Sequence, residues 1–198
     1  MSKKMLDIAG SMIGLAMLAI MLPFIAISIK LDSKGDIFFP QKRCGRAGRE
    51  FYMLKFRTMR NNAEEIKAAL KDKNEVNGPM FKLSNDPRIT RVGSFLRKTK
   101  LDEFPQFLNI LAGNMTLVGP RPLEKEEMEG HPEWKALRLT VKPGLTGLWQ
   151  IQCSNYRDFN EWIIWDRLYI ENRSLWLDIK IILRTAKLII TNIFNNIF

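Results

Sequence analysis

The chain has few of the residue types that commonly build metal centres or nucleophilic triads. Its 198 residues include a single histidine, His131, and two cysteines, Cys44 and Cys153. One histidine, placed in a polar Gly-His-Pro loop, argues against a Ser-His-Asp triad and against a histidine-rich metal site. The two cysteines are far apart and lack metal-ligand spacing, so we expect free thiols in a reducing compartment.

The chain has fewer acidic than basic residues. It also lacks internal repeats and low-complexity linkers. Lysine and arginine total 31 against 21 aspartate and glutamate, which gives a formal net charge of +10 at pH 7. Such an excess favours a polyanionic partner: nucleic acid, anionic lipid headgroups or a diphosphate substrate. The length suffices for one medium-sized domain with an appendage.

Charge is almost missing from residues 5–29, where Asp7 is the only charged side chain. This apolar run is long enough to cross a bilayer and too long for the core of a cleaved signal peptide. Pro23 removes a backbone donor inside the run and favours a kink. Cations flank both ends and give no clear orientation. Two membrane elements fit: a re-entrant helix that bends at Pro23 and leaves by the same face, or a straight spanning helix.

The remaining residues predict a mixed α and β fold. Strand-like segments at 37–39 and 50–56, joined by a Gly-rich loop, indicate a β-hairpin. In the C-terminal third, tryptophans and cations alternate with aliphatic residues, which is typical of helices in a membrane interface and also of ordinary amphipathic packing. Residues 141–147 form a turn-rich connection. The predicted helical segments are 62–73, 94–98, 101–111, part of 124–137, and residue 160 onward.

Two adjacent carboxylates, Asp102 and Glu103, precede an apolar stretch. Thr99 is the expected N-cap of a helix over 101–111, which places Asp102 in the first turn. The positive end of the helix dipole favours an ionised carboxylate there, and an ionised, oriented aspartate can act as a nucleophile. The alternative is that Thr99 and Asp102 form an ordinary helix cap of the capping-box type.

Several cations precede and follow this carboxylate pair in the sequence. Lys55 and Arg57 alternate with apolar residues at strand period and should share one face. Arg88 and Arg97 precede the pair, and Arg121 follows it between two prolines that limit its conformational freedom. Together these residues indicate a diphosphate site. Arginines and Mg²⁺ would have to offset the repulsion between an attacking carboxylate and a phosphate.

Five motifs occur in the order seen in one family of enzymes. The chain resembles the bacterial sugar transferases, and in particular the small, PglC-like monotopic polyprenyl-phosphate phosphoglycosyl transferases. The resemblance covers nearly the whole chain, including the apolar start. The motifs are KFRTM at 55–59, DPRITRVG at 86–93, LDEFPQ at 101–106, VGPRP at 118–122 and KPGLTG at 142–147.

The resemblance implies a reaction and roles for single residues. Such enzymes transfer sugar-1-phosphate from a UDP-sugar to polyprenyl phosphate, giving polyprenyl-diphosphate-sugar and UMP, by a ping-pong route. The family's nucleophile falls on Asp102, which would carry the phosphosugar, with Glu103 as its partner and Mg²⁺ bound near Asp102. Arg97 matches a phosphate-binding arginine, and Lys55 matches a lysine near the dyad. The further candidates for phosphate or nucleotide binding are Arg57, Arg88, Pro120 and Arg121.

The resemblance also implies a location. Residues 1–30 would form a re-entrant, helix-break-helix membrane element, broken near Pro23, although Leu22 replaces the family's serine at the break. Residues 31–198 would form a catalytic domain on the cytosolic face of the bacterial inner membrane, with its C-terminal helices in the lipid interface. The expected partners are the UDP-sugar, polyprenyl phosphate and membrane lipids, and not nucleic acid. The sugar and the oligomeric state are not predicted.

Two functions from other classes stay open at this stage. The first is a membrane-tethered basic protein that binds acidic lipid or nucleic acid, which would not need the carboxylate pair. The second is a Mg²⁺-dependent phosphodiesterase that cleaves sugar nucleotides with water. It would release UMP without polyprenyl phosphate and would leave no sugar on lipid.

Overall fold

The fold consists of helices around two small sheets. A computed structural model describes residues 2–77, 81–152 and 158–197, and within these ranges each of the two sheets has two strands. The predicted α+β class is confirmed. The elements are α1 (Lys3–Asp32), β1 (Phe38–Cys44), β2 (Glu50–Phe56), α2 (Ala63–Ala69), α3 (Arg91–Lys98), α4 (Gln106–Leu111), β3 (Thr116–Val118), α5 (Pro132–Arg138), β4 (Gly144–Thr146), α6 (Leu148–Gln152), α7 (Phe159–Asn172) and α8 (Leu175–Ile197).

The apolar N-terminal segment forms one helix, α1, with Pro23 inside it. We expected two helices with a break, and the structure has a single helical element. A proline removes only one N–H donor, and the leucine, alanine and methionine residues around it favour helix on both sides. Of the described helices, α1 is the one that is long and apolar enough to cross a membrane. The re-entrant path stays a prediction.

Both ends of α1 are bound to the same globular part of the protein. At the N-terminal end, the Lys3 ammonium lies 2.5 Å from the Asp178 carboxylate and donates to the Val118 carbonyl at 2.9 Å. At the C-terminal end, the Asp32 carboxylate accepts from the Val92 amide at 2.9 Å. The helix is therefore fixed to the domain at both of its ends.

One face of α1 is covered by the domain and the opposite face is exposed. The covered face carries Ser11, Gly14, Leu18, Ile25 and Ile29. Apart from the adjacent pair Met12 and Ile13, the exposed apolar residues recur every three or four positions, which is the spacing of one helical face. They are Met5, Ile8, Met12, Ile13, Met17, Ile20, Phe24, Ile27 and Leu31.

The predicted hairpin is confirmed as an antiparallel pair of β1 and β2. Phe38 faces Phe56 at the open end, and Cys44 faces Glu50 beside the turn. The turn needs left-handed backbone, which Gly48 adopts with a φ of 73°. Cys44 is a buried free thiol, as expected; Cys153 lies outside the described residues.

A second, parallel sheet of β3 and β4 was not predicted. Thr116 pairs with Gly144, and Val118 pairs with Thr146. Three residues per strand are too few to show a two-residue alternation, so the sequence indicated only a turn-rich connection at 141–147. The sheet brings the VGPRP and KPGLTG motifs side by side, and it fixes the start of the loop that carries Arg121.

We expect Gly144→Ala to destabilise the protein strongly. A Cβ atom at this position would collide with the backbone of Gly119, which cannot move without breaking the β3–β4 pairing. Overpacking of this kind costs about 1–3 kcal/mol. Thermal unfolding in detergent should show a lower Tm. Gly10→Ala is the matched control, because its new methyl group meets only the flexible end of the Leu117 side chain. An equal loss in both variants would contradict the argument.

The C-terminal tryptophans were predicted to lie either in a membrane interface or in an ordinary protein core, and the structure has one of each kind. Trp162 of α7 is fully buried in the core, whereas Trp176 of α8 is 64% exposed and has the Lys180 ammonium 5.2 Å from its ring centroid. An exposed aromatic ring beside a cation is typical of a membrane interface. The exposed apolar residues farther along α8 are Leu183, Leu188, Ile190 and Phe194.

Candidate active site

The Asp102–Glu103 pair lies in a single 3₁₀ turn, Leu101–Glu103, between α3 and α4. The predicted N-cap role of Thr99 is wrong. Its hydroxyl donates backward to the Phe95 carbonyl at 2.8 Å, so Thr99 closes α3 and does not open the next helix. Lys100 then turns the chain with a φ of 61°. The pair still precedes α4, but as a separate turn.

Glu103 is paired with two cations. Its Oε1 atom lies 3.6 Å from the Lys55 ammonium and 3.3 Å from the Arg121 guanidinium. Lys55 comes from β2 and Arg121 from the Pro-Arg-Pro loop, so the glutamate joins three motifs that are distant in sequence. The two ion pairs neutralise much of the negative charge of Glu103. The charge of Asp102 is therefore less neutralised than that of Glu103.

Asp102 is buried but has no hydrogen-bond partner among the described residues. It is 7% exposed. Burial raises its pKa, the adjacent Glu103 carboxylate raises it further, and Lys55, Arg97 and Lys100 only partly oppose this, so that the pKa is about 6. A buried carboxylate whose oxygens are not used within the protein is rare, and such groups concentrate at functional sites.

The pKa values of Glu103 and Lys55 shift in ways that follow from their pairing. Burial by itself would raise the pKa of Glu103, but attraction to Lys55, Arg121 and Lys100 outweighs it and holds that pKa well below its usual range. Burial lowers the pKa of Lys55 to about 8 against the opposing pull of Glu103. Near neutral pH, Glu103 is therefore the firmly ionised member of the dyad.

Arg97 brings a guanidinium close to Asp102 without an ion-pair partner among the described residues. Its Nε donates to the Thr58 hydroxyl at 2.8 Å. Burial lowers the pKa of Arg97, and the negative charge of Asp102 is the largest opposing influence. A charged guanidinium held by a neutral hydroxyl keeps its remaining N–H groups free for a phosphate.

Thr58 is a site residue that the sequence reasoning missed. It is buried, and its carbonyl accepts from the Thr90 amide at 3.1 Å, which fixes it against the start of α3. We expect Thr58→Val to lower kcat/KM about tenfold, because it removes the acceptor that orients Arg97 and leaves a buried donor unpaired. Thr58→Ser, which keeps the hydroxyl, should retain the wild-type value. Equal losses in both variants would disprove this role.

Asn109 is a second missed residue, and it ties the helix that follows the dyad to the strand that carries Lys55. Its side chain accepts from the Leu54 amide at 2.9 Å and donates to the Tyr52 carbonyl at 2.8 Å. These bonds fasten α4 to β2 on either side of Met53, two positions before Lys55. A polar residue within the apolar run FLNIL was the available signal.

Arg57 and Arg88 are not brought to the carboxylates. The Arg57 guanidinium donates to the Ser33 carbonyl at 2.7 Å, because β2 ends at Phe56 and the strand alternation with Lys55 stops there. Arg88 makes a two-armed ion pair with Asp86, with a shortest distance of 2.6 Å. Both guanidinium groups are thus engaged elsewhere, and their predicted phosphate-binding roles have no support from these contacts.

The carboxylate pair fits a magnesium ion only if substrate supplies part of the coordination. No group of three or more His, Cys, Asp or Glu side chains that could hold a metal occurs in the described ranges. Mg²⁺ commonly binds one or two carboxylates and completes its octahedron with phosphate oxygens and water. The unused oxygens of Asp102 suit such shared binding.

The family model described as "Bacterial sugar transferase" matches residues 1–192. The chain therefore belongs to the bacterial sugar transferase family, and the resemblance drawn from the five motifs is confirmed. The chain is 48% identical over 190 residues to the galactosyl transferase CpsE of Streptococcus agalactiae, an alignment that covers 96% of the chain and 42% of that relative.

Two further relatives show the range of lengths in the family. The undecaprenyl-phosphate galactose phosphotransferase of Salmonella typhimurium is 38% identical over 196 residues, covering 95% of the chain and 40% of the relative. The exopolysaccharide production protein ExoY of Rhizobium meliloti is 36% identical over 192 residues, covering 93% of the chain and 84% of the relative. The chain thus spans less than half of the first two relatives and most of the third.

Proposed function

We propose that this protein transfers sugar-1-phosphate from a UDP-sugar to polyprenyl phosphate through a covalent intermediate on Asp102. The observation that carries the proposal is a buried Asp102 carboxylate without a hydrogen-bond partner in the described chain, whose ionised form is favoured by the positive charges of Lys55, Arg97 and Lys100. The name of the Salmonella typhimurium relative, an undecaprenyl-phosphate galactose phosphotransferase, supports the same general reaction.

The first half-reaction forms a phosphosugar ester. An oxygen of Asp102 attacks the phosphorus that carries the sugar, and the bond from that phosphorus to the bridging oxygen of UMP breaks. UMP leaves with the bridging oxygen and the electron pair of that bond. Arg97 and Arg121 stabilise the charge that develops on the phosphate oxygens. Mg²⁺, when bound at Asp102, would reduce the repulsion between the carboxylate and the diphosphate.

The second half-reaction regenerates the enzyme. An oxygen of polyprenyl phosphate attacks the same phosphorus, and the bond to Asp102 breaks, which returns the free carboxylate. Glu103 remains ionised between Lys55 and Arg121, and it holds these two cations beside the reacting phosphate. Dividing the transfer into two displacements means that the soluble and the lipid substrate need not be bound together.

The attachment of α1 supports a monotopic position in one leaflet. This helix has 30 residues, a length of about 45 Å, while the hydrocarbon core of a bilayer is about 30 Å thick. A helix that crosses the bilayer has its ends on opposite sides, where one globular domain cannot hold both. Lys3 and Asp32 both bind the same domain. We propose that the exposed apolar faces of α1 and α8 contact lipid and that the domain lies on the cytosolic face.

A single-turnover experiment tests the proposal. Purified protein is incubated with Mg²⁺ and a panel of UDP-sugars, first without and then with polyprenyl phosphate. We expect at most one UMP per protein at first, with a sugar-phosphate adduct on the peptide that contains Asp102, and transfer of that adduct to lipid afterwards. Continuous UMP release without polyprenyl phosphate would instead identify a phosphodiesterase. Absence of UMP with every sugar would favour a binding protein.

A further inference from the structure

The loop Gly119–Pro122, called here the Arg121 loop, has fewer backbone donors than an ordinary loop. Pro120 and Pro122 have no N–H group, so carbonyl oxygens must provide much of its attachment. The Pro120 carbonyl accepts from the Gly144 amide at 2.8 Å, which fixes the start of the loop to β4. The next carbonyl, that of Arg121 itself, is held by a side chain.

That side chain belongs to Arg138, in the last turn of α5. One of its terminal nitrogens donates to the Arg121 carbonyl, and the other pairs with the Asp166 carboxylate of α7. The guanidinium carbon lies 4.5 Å from the ring centroid of Trp134 and 5.5 Å from that of Trp162. The Trp134 indole N–H also donates to Asp166 at 3.2 Å. Arg138 is buried, and both of its terminal nitrogens are engaged within the protein.

The cluster of Arg138, Asp166, Trp134 and Trp162 makes more contacts than neutralising the charge of Arg138 requires. A carboxylate alone could neutralise Arg138, and two indole rings already stabilise its charge. The planar guanidinium nevertheless uses its second arm on a backbone carbonyl of the Arg121 loop. A lysine cannot reproduce this arrangement, because a single ammonium at the end of a flexible stem has no rigid fork. The two terminal nitrogens of Arg138 therefore connect the Arg121 loop to α5 and α7.

We propose that Arg138 is a positioning residue for the transfer reaction, which sets the orientation of Arg121 through its backbone carbonyl. In this arrangement Asp166 and the two tryptophans hold Arg138, Arg138 holds the carbonyl, and the Arg121 guanidinium meets Glu103 at 3.3 Å. The proposal rests on the proposed function, because it assigns Arg138 to the same site.

A double-mutant cycle with Arg121 separates a positioning role from a structural one. UMP release at saturating polyprenyl phosphate is measured for the full chain and for Arg138→Lys, Arg121→Gln and the double variant. We expect Arg138→Lys to lower kcat/KM for the UDP-sugar about tenfold in the wild-type background and less than twofold in the Arg121→Gln background. Arg167→Lys, an exposed neighbour of Asp166, is the control and should retain wild-type activity.

The outcomes distinguish the two proposals. Equal tenfold losses in both backgrounds would overturn the positioning role and leave the proposed function intact. A wild-type protein that releases no UMP would overturn both. If Arg138→Lys does not fold, the cycle is repeated with Asp166→Asn, which removes the ion pair at constant volume. If that variant also fails to fold, the cluster is a determinant of folding and the positioning role is rejected.

Discussion

Asp102→Asn is expected to abolish turnover and the covalent adduct. The amide has the volume of the carboxylate but is not a nucleophile, and loss of a catalytic nucleophile lowers kcat by about 10⁴-fold or more. The same variant should be at least as thermostable as the wild type at pH 7. The raised pKa of Asp102, about 6, means that burying its ionised form opposes folding, and the neutral amide removes this cost.

The measurement pairs UMP release with intact-protein mass spectrometry and thermal unfolding. Asp36→Asn makes the same chemical change at an exposed residue between α1 and β1, and it should alter neither activity nor Tm. An Asp102→Asn protein that is folded and still transfers sugar-phosphate would refute the assignment of the nucleophile. A fall in both activity and Tm would point to a structural carboxylate.

Arg97→Gln should produce the second largest loss. Arg97 is held by Thr58 and has no carboxylate partner among the described residues, so its charge is available for the phosphate that reacts at Asp102. Removal of one group that stabilises developing charge in a buried site costs about 10²–10³-fold in rate. We therefore expect kcat/KM for the UDP-sugar to fall by this factor. Arg97→Lys should recover part of it, because the charge returns without the fork.

Arg49→Gln is the matched control for this prediction. Arg49 is exposed at the turn of the β1–β2 hairpin, at the opposite end from Lys55. The same exchange there should leave kcat/KM unchanged. If Arg97→Gln and Arg49→Gln behave alike, Arg97 does not bind the reacting phosphate, and Lys55 with Arg121 would remain as the cations of the site.

The differences between sequence and structure arise where neighbouring residues allow two local arrangements, or where a residue's partner is distant in the chain. Thr99 has the side chain of an N-cap, but its hydroxyl bonds backward into α3, and local propensity does not decide between these two helices. Arg57 fits a strand alternation that stops one residue earlier, at Phe56. The β3–β4 sheet is too short to predict from periodicity, although it fixes the Arg121 loop.

By itself, the sequence determined the apolar helix, the β1–β2 hairpin and the family, because an unbroken apolar run, a two-residue alternation and ordered motifs are properties of neighbouring residues. Only the tertiary structure decided which cations reach the dyad, with Lys55 and Arg121 on Glu103 and with Arg57 and Arg88 engaged elsewhere. It also decided that Asp102 is buried with a raised pKa. Burial and ion pairing depend on segments that meet only after folding.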